Sequence, residues 1–492
     1  MKKLVALMLA LALCLSLVAV SASADDTIKI TIFVDGTIPD QNNGRDQFEA
    51  RWEELHPGFD LEIIQPDHSA YYDVMQQRMS NPQDWPDVLI LSSTYYVDYA
   101  SAGALWDMTE AWENSKTKNS GRFTGDNVFE GLKVDGKLYG FAPTRGNGCV
   151  TYVKKAWMDE CGITEAPTTY DAYIEMLKAF TEKYGTYAVS AAGFVGGEAP
   201  FINYLPEFYQ DAYPYFVQQE DGTWVDGFTQ DNMKAALQRI QDAVAAGLID
   251  KETLTNTTAD ARNKFYDDKF GVFTYWAGTW ATNLKTNLEA NGKSGELVAL
   301  KPLEGLPLYF DRVPPVWCIT TACKEPQKVF DAFIDTMLDG GDTQMLFTYG
   351  PEEVYWSTKA GTVLEKEYAD GEFHMLENLE KPGALYTKYH IDPMLALASF
   401  ADGYYDPKEE SVQPEAKAAS ELFNANSRLA SLVPGTPELT ELNGELTTLK
   451  GEIIADIALG NISVEEGYAR FESDGGLESS NAIVESLNAL GK

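Results

Sequence analysis

The sequence contains few of the residue types that carry catalysis and metal binding. Its 492 residues include four histidines and five cysteines. The histidines are scattered, at His56, His68, His374 and His390. The chain also has no glycine-rich phosphate loop, no nucleophile elbow, no paired-histidine metal motif and no calcium loop. We therefore expect a chain that is not an enzyme and that needs no metal and no cofactor.

Positive charge is scarce as well. The chain has 38 lysines and arginines against 75 aspartates and glutamates, which gives a formal net charge of -37 at pH 7. An excess of negative charge this large repels phosphate backbones and anionic lipid headgroups. Nucleic acid is therefore not expected as a partner.

Long apolar runs are confined to the start of the chain. Two lysines precede an apolar run at residues 4–20, and residues 22–24 supply the small side chains that a signal peptidase requires. We expect cleavage after Ala24 and an exported protein, periplasmic or at the extracellular cell surface. A lipid anchor at Cys14 is the alternative, but Leu13 is bulky where a lipoprotein signal needs a small residue.

The other four cysteines do not form a pattern typical of a disulfide framework or a zinc site. They form two groups, Cys149 with Cys161 and Cys318 with Cys323, spaced 12 and 5 residues apart. Disulfides form in exported proteins, so pairing stays open. Buried free thiols are the simpler interpretation.

Apolar residues alternate between strand-like and helix-like spacing along the first hundred residues. Residues 28–34, 61–64 and 87–91 have the character of strands, the last being a short continuous apolar run typical of a parallel strand covered on both faces. Helical patterns separate them, and the second helix carries Tyr72 with Met75 on its predicted buried face. This order predicts an α/β fold of layered strands and helices.

Helices are also predicted farther along the chain. Thr168, with Asp171 three residues later, resembles a capping box, and Gly185 would end that helix. A second helical pattern ends at Gly247, and a third begins at Pro326. These patterns extend the α/β alternation through the middle of the chain.

Aromatic residues are abundant, with 10 Trp, 26 Tyr and 23 Phe. Several stand beside small polar residues where predicted strands end, among them Tyr95, Tyr96, Trp276, Trp280 and Trp317. In α/β sheets ligands bind beyond the carboxyl ends of strands. A sugar ring has an apolar face and a rim of hydroxyls, which suits flat aromatic and planar polar side chains. The alternative for each ring is a place in the hydrophobic core.

The order of several motifs resembles a known family. Residues 85–91, 135–143, 157–163 and 167–171 are similar to motifs of the extracellular solute-binding proteins of ABC transporters. Within them, the similarity is to the carbohydrate-binding family 1, which includes the maltose-binding protein, and to its long lipoprotein-like branch in Firmicutes. It extends over roughly residues 28–450.

This resemblance implies a two-lobed α/β fold of the periplasmic-binding-protein or Venus flytrap type. Each lobe is expected to have a mainly parallel sheet with flanking helices. The expected division places residues 25–143 with 278–322 in the first lobe, and 144–277 with 323–492, including C-terminal helices, in the second.

The resemblance also implies that the ligand lies between the lobes. Trp280 stands where the family has a sugar-stacking tryptophan, and Arg145 follows the first connection between the lobes. The candidate ligand-binding residues are Asp35, Tyr95, Tyr96, Arg145, Phe201, Tyr204, Trp276, Trp280, Trp317 and Tyr355.

The implied function is capture and delivery. The protein is expected to be a monomer that binds a carbohydrate, an oligosaccharide, and presents it to the permease subunits of an ABC importer. Two alternatives stay open. A secreted glycoside hydrolase would need two placed carboxyl groups, and a peptide- or amino-acid-binding protein of the same fold would need charged groups for the ligand's termini.

Overall fold

The computed structural model describes residues 27–35, 38–39, 41–67, 70–91, 93–196, 201–363, 365–376, 397–404 and 413–490. The expected signal segment, with Cys14 and Ala24, lies outside the described residues, as do His68 and His390.

Helices and strands alternate through most of the described chain. The strands are β1 (Ile28–Phe33), β2 (Phe59–Ile64), β3 (Val88–Leu91), β4 (Cys149–Lys154), β5 (Phe216–Gln218), β6 (Trp224–Asp226), β7 (Val272–Trp276), β8 (Leu297–Ala299), β9 (Tyr309–Asp311), β10 (Val316–Ile319), β11 (Trp356–Ser357), β12 (Gly361–Val363), β13 (Lys366–Tyr368), β14 (His374–Met375) and β15 (Ser427–Leu429). The α-helices are α1 (Arg45–Leu55), α2 (Tyr71–Met79), α3 (Ser93–Ser101), α4 (Thr109–Glu113), α5 (Asp126–Gly131), α6 (Lys155–Glu160), α7 (Tyr170–Tyr184), α8 (Pro206–Tyr209), α9 (Asp231–Ala245), α10 (Thr258–Tyr266), α11 (Thr279–Ala290), α12 (Pro326–Val329), α13 (Asp342–Tyr349), α14 (Pro414–Ala425), α15 (Pro437–Ala458), α16 (Val464–Ser473) and α17 (Gly476–Ala489).

The first lobe is built on a four-stranded sheet in the order β10, β3, β1, β2. Strand β1 pairs in parallel with both β2 and β3, and β10 closes the sheet antiparallel to β3. All four residues of β3 are buried, as its continuous apolar sequence predicts. The three predicted strands and the helices between them are therefore confirmed.

Helix α2 is rotated relative to the prediction. Its buried residues are Tyr71, Met75 and Met79, and the Tyr71 hydroxyl donates to the carbonyl of Ile90 at 2.7 Å. Because adjacent residues on a helix point about 100° apart, Tyr72 leaves the core and is half-buried. It is thus available to a different surface.

Two predicted helix ends are confirmed to within a residue. Helix α7 is capped by the side chain of Thr169, not Thr168, which accepts a hydrogen bond from the backbone N–H of Ala172. Gly185 ends it with a left-handed φ of 65°, a conformation that glycine adopts without strain. The helix that begins at Pro326 continues as a π-helix at Phe330–Ile334.

The sheet of the second lobe differs from the mainly parallel one expected. Strand β4 lies between β7 and β8 and is antiparallel to both. The reason is topological: β4 enters from the first lobe at the edge where β7 ends, so the two strands run in opposite directions. Parallel pairing in this lobe, among the described residues, includes the short ladder of β15 with β9 and bridges such as Val189 with Val272.

The hydrophobic clusters divide the chain differently from the expected lobe boundaries. Helix α11, within the segment 278–322 assigned to the first lobe, buries Leu284 and Leu288 against the core around β4 and β7. Residues 329–346, assigned to the second lobe, pack in the core of the first. The physical reason is that α11 follows β7 directly and folds back on it, so the chain crosses only after β9.

The chain passes between the lobes through two described segments, residues 143–148 and 312–315, which we call the crossing segments. The first joins Phe141, paired with Trp317 in the first lobe, to β4 in the second. The second joins β9 to β10. The first segment coincides with the expected boundary at residues 143–144, whereas the hydrophobic clusters of the described residues continue across 277–278 and 322–323.

The C-terminal helices pack in the hydrophobic core of the second lobe. Their attachment includes a buried ion pair in which Lys450 of α15 donates to Asp226 at 2.7 Å. Ser480 of α17 donates to the other carboxylate oxygen of Asp226, also at 2.7 Å. Removing one partner of such a buried pair typically costs about 3–5 kcal/mol, since it leaves an uncompensated charge.

The cysteines at positions 149, 161, 318 and 323 all carry free thiols. Burial raises the pKa of the Cys149 and Cys318 thiols well above the ordinary value. None of the described helices is long and apolar enough to cross a membrane.

A carboxyl group is buried in the second lobe without a positive partner. Glu207 is 1% exposed, accepts a hydrogen bond from the Thr151 hydroxyl, and its Oε2 has no hydrogen-bond partner in the described part of the chain. Burial disfavours the ionised form and raises the pKa of Glu207 to about 7. This group should therefore make stability depend on pH.

We expect Glu207→Gln to flatten the pH dependence of the free energy of unfolding between pH 8 and pH 5. The pKa of Glu207 in the folded protein lies above that of an unfolded chain, so the folded state holds its proton more tightly. Stability of the wild type therefore rises as the pH falls through 7, by about 2–3 kcal/mol from this group. Urea unfolding at the two pH values measures the difference. Exposed Glu182→Gln is the control, and an unchanged slope in Glu207→Gln would contradict the assignment.

Candidate functional site

Aromatic side chains lie beyond the carboxyl ends of the strands in the first lobe. Asp35 follows β1 and is half-buried. Tyr72 of α2 and Tyr95 of α3 stack with ring centroids 4.4 Å apart and an angle of 7° between their planes. The Gln76 amide donates to the Tyr95 hydroxyl at 2.9 Å, which holds that ring in place. The two tyrosines form a flat apolar surface at this edge.

The matching edge of the second lobe is formed by the end of β7, the beginning of β4 and the end of β9. Trp276, the last residue of β7, is paired with Cys149. The N–H of Ala277 donates to the carbonyl of Gly148 at 2.9 Å. The N–H of Arg312 donates to the carbonyl of Asn147 at 3.2 Å. Both crossing segments therefore meet this edge, and residues on it face the passage between the lobes.

The crossing segments approach each other more closely than residues with side chains permit. A Cβ atom on Gly146 would lie 1.9 Å from the carbonyl oxygen of Arg312, and one on Gly148 would lie 2.3 Å from that of Phe310. Real Cβ atoms do not approach backbone oxygens at these distances. Glycine is therefore required at both positions for the two segments to lie side by side.

Each tryptophan at this edge has an arginine against its ring. The guanidinium of Arg312 lies 5.0 Å from the centroid of the Trp276 ring, and that of Arg262 lies 4.9 Å from the Trp280 ring. Arg262 also donates to the Tyr275 hydroxyl at 3.2 Å. Such cation–π contacts hold both partners in one orientation. Both tryptophans are half-buried, so part of each ring is open to solvent.

Asp311 and Arg145 meet where the crossing segments run together. Asp311 is 2% exposed, and its Oδ1 has no hydrogen-bond partner among the described residues. Burial raises the pKa of Asp311 to about 7, although the nearby guanidinium groups of Arg145 and Arg312 oppose the shift. The Nε of Arg145 is also buried and lacks a described partner. The two groups hold unused hydrogen-bonding capacity beside the cleft.

Three of the sequence-predicted residues lie in hydrophobic cores instead of the site. Tyr96 is fully buried and its hydroxyl donates to the carbonyl of Leu132 at 2.6 Å. Trp317 is 1% exposed and packs on Phe333 at 5.4 Å. Tyr355 is 2% exposed, and its hydroxyl donates to a backbone carbonyl. All three rings are enclosed by other side chains of the hydrophobic clusters, so these expectations are corrected.

The two weakly motivated residues of the second lobe differ in position. Tyr204 is half-buried, and its ring lies nearly parallel to that of Tyr275 at a centroid distance of 6.5 Å. Both rings belong to the hydrophobic cluster that also contains Trp280. Phe201 packs on Tyr215, at 4.7 Å, in the other core cluster of this lobe. The structure therefore groups Tyr204 with the tryptophan edge and Phe201 away from it.

Four residues at these edges were missed by sequence reasoning: Tyr72, Arg262, Asp311 and Arg312. Tyr72 could have been recognised because only one of the adjacent Tyr71 and Tyr72 fits the buried face of a helix. The others carry no local signal, since their place depends on which strands become neighbours.

A separate cavity of about 230 Å³ also lies between the lobes. It is lined by Val97 and residues 133–136 from the first lobe and by Trp224 and Asn488 from the second, among others. Two of its polar residues already have protein partners: the Asn488 side chain exchanges two hydrogen bonds with the backbone of Trp224, at 2.8 and 2.9 Å, and Lys133 forms an ion pair with Glu130. We therefore assign the candidate site to the strand edges, where polar groups remain unpaired.

Comparison with known proteins gives consistent matches. The model of the family described as bacterial extracellular solute-binding protein matches residues 40–306. Lipoprotein LipO of Bacillus subtilis (strain 168) is 23% identical over 255 residues, and this alignment covers 49% of each chain, so the match spans about half the length of that relative.

Solved structures show the same fold over nearly the whole chain. The alginate-binding protein AlgQ2 without calcium ion has a TM-score of 0.59 at 16% identity, covering 95% of this chain and 98% of its own. Maltose-bound MalE3 of T. maritima has a TM-score of 0.54 at 16% identity, covering 94% and 100%. These neighbours are two-lobed periplasmic-binding proteins, and the two-lobed α/β fold expected for this chain is confirmed.

We expect Trp317→Ala and Trp280→Ala to differ sharply in their cost to stability. Trp317 fills the core of the first lobe, so its removal should lower the free energy of unfolding by about 3–5 kcal/mol. Trp280 is half-buried at an edge and should cost clearly less. Denaturant unfolding of both variants measures the contrast. Equal losses would place Trp280 in the core and remove it from the candidate site.

Proposed function

The chain belongs to the family of bacterial extracellular solute-binding proteins, and from this premise we propose that it is the substrate-binding component of an ABC importer and captures an oligosaccharide between its lobes. The observation that carries the proposal is the presence of an aromatic surface at the strand-end edge of each lobe. Tyr72 and Tyr95 form one in the first lobe, and Trp276 and Trp280 form the other in the second.

Sugar chemistry accounts for this arrangement. The C–H face of a pyranose packs on an aromatic ring, while its hydroxyl rim needs hydrogen-bond donors and acceptors. The second-lobe edge supplies both, since the half-buried guanidinium groups of Arg312 and Arg262 lie against the rings of Trp276 and Trp280. The proteins of similar fold include ones named for alginate, maltose and chitin oligosaccharide. A carbohydrate of more than one unit would span the two edges.

The proposed mechanism is closure of the lobes around the ligand, followed by presentation of the closed form to permease subunits. The crossing segments would act as hinges, because residues 143–148 and 312–315 lie side by side and join the lobes. Residues 427–432 contact both lobes. Strand β15 pairs with β9 of the second lobe, whereas Leu429 and Leu432 pack against the hydrophobic core of the first. A difference of a few kcal/mol between open and closed forms suffices for ligand to shift the population.

We propose binding without chemistry, by a monomer. The site brings together indole rings and guanidinium groups, which recognise a ligand, whereas glycoside hydrolysis requires a pair of carboxyl groups at a defined separation. A peptide- or amino-acid-binding protein would need an ionised carboxylate for the ligand's amino group. Asp311 is poorly suited to that part because burial favours its neutral form.

We propose that the protein is processed after Ala24 and released from the signal segment. The exported chain should then begin at Asp25 and partition into the aqueous phase of a detergent extraction. N-terminal sequencing and intact mass of the exported protein measure this. A diacylglyceryl group on Cys14 would show instead that the lipid-anchor alternative is correct.

Glycan-array screening followed by calorimetry should identify an oligosaccharide that binds and is returned unchanged. Trp280→Ala and Trp276→Ala should weaken its binding by roughly ten- to a hundredfold, because a stacking ring contributes about 1–3 kcal/mol. The matched control is Trp356→Ala. Trp356 is also half-buried but is stacked on Phe373, away from the site, so this variant should bind the oligosaccharide with full affinity.

The same ligand should compact the molecule, as seen in small-angle scattering. Superimposable profiles with and without saturating sugar would overturn closure. Cleavage of the sugar would favour the hydrolase alternative, and exclusive binding of peptides would favour the other one.

A further inference from the structure

The arginines of this chain fall into two groups by their contacts. Of ten in the sequence, six donate to carbonyl or carboxylate oxygens of the protein itself. Arg470, for example, contacts three carboxylates, and Arg239 donates to two backbone carbonyls. The six are Arg45, Arg51, Arg78, Arg122, Arg239 and Arg470. Their charge is used within the fold.

Three others lie together at the tryptophan edge of the second lobe. Arg312 lies against Trp276, Arg262 against Trp280, and Arg145 comes from the adjacent crossing segment. None of the three forms an ion pair with a carboxylate in the described ranges of the chain, and only Arg262 donates a side-chain hydrogen bond there, to Tyr275. Most of their donors therefore remain available.

The acid beside this cluster can offset at most one of its three positive charges. Asp311 lies next to Arg145 and Arg312, but it is 2% exposed and its burial disfavours the carboxylate form. A guanidinium that is half-buried has lost part of its hydration, and the loss is offset when an anion binds to it. Three such groups at one edge are a feature that a neutral ligand does not require.

The geometry of the cluster also suits an anion on a sugar ring. Guanidinium groups present paired donors that match the two oxygens of a carboxylate. Their contacts with Trp276 and Trp280 hold these donors at the margin of the aromatic surfaces. A ring stacked on the free part of either indole would place its substituents beside an arginine.

We propose that the ligand is an acidic oligosaccharide, whose uronate carboxylates bind Arg262, Arg312 and Arg145 while its rings stack on Trp276 and Trp280. The inference rests on the proposed capture of a carbohydrate and adds the chemical class of that carbohydrate. The overall charge of the protein, -37, repels an acidic ligand. This repulsion is weak at the site, because charges more than about 8 Å apart are largely screened at physiological ionic strength. The local cluster therefore decides the sign of the field at the site.

The test compares oligosaccharides that differ only in charge. Oligomers of galacturonate, glucuronate, mannuronate and guluronate are measured by calorimetry beside the same oligomers after reduction of each carboxyl group to a primary alcohol. We expect at least one acidic oligomer to bind about tenfold or more tightly than its reduced form, since charge-assisted hydrogen bonds are roughly twice as strong as neutral ones. Its affinity should fall as salt is raised.

Two variants connect the preference to the cluster. Arg312→Gln and Arg262→Gln should each reduce the ratio of acidic to reduced affinity severalfold, with folding checked by circular dichroism. The control is Arg428→Gln, since Arg428 is exposed against Phe310 on the neighbouring strand and should leave the ratio unchanged.

The outcomes separate the two proposals. Equal binding of acidic and reduced oligomers, or binding of neutral glycans only, would overturn the acidic class and leave carbohydrate capture standing. A preference for acid that survives both arginine variants would overturn the role of the cluster. Failure of every carbohydrate on the glycan array would overturn the proposed function itself.

Discussion

The arrangement of the site depends on the close backbone contact between the two crossing segments. Gly146 and Gly148 lie against the carbonyl groups of Arg312 and Phe310 at distances that leave no room for a Cβ atom. This contact aligns the beginning of β4 with the ends of β7 and β9. The ends of β7 and β9 carry Trp276, Asp311 and Arg312. One steric constraint therefore sets both the connection between the lobes and the position of this edge.

Buried charge is distributed unequally over the second lobe. Lys450 and Asp226 form a buried pair that attaches the C-terminal helices, and each compensates the other. Glu207 and Asp311 are buried acids whose pKa values are raised to about 7. The first is enclosed in the core, whereas the second lies at the crossing segments. Such unpaired groups reduce stability, and where they cluster beside a cleft they are typical of a binding site.

The sequence pointed to residues of the candidate site where the signal was local. Trp276 and Trp280 follow a strand directly, and the structure places both at its end, half-buried. Tyr96, Trp317 and Tyr355 carried the same kind of signal but are core residues. A strand or helix turns neighbouring side chains to different sides, so proximity to a strand end does not decide which ring faces the cleft. The assignment of Tyr72 to the core was wrong for this reason.

The sequence by itself determined the alternation of strands and helices, the family and therefore the two-lobed fold, because these depend on apolar periodicity and on motifs that are contiguous in the chain. Only the tertiary structure decided where the chain crosses between the lobes, the antiparallel pairing of β4 with β7, and the grouping of Arg145, Arg262 and Arg312. In the chain, Arg145 is 117 residues from Arg262, and Arg262 is 50 residues from Arg312. They come together because distant strands share an edge, and no local pattern in a sequence specifies which strands become neighbours.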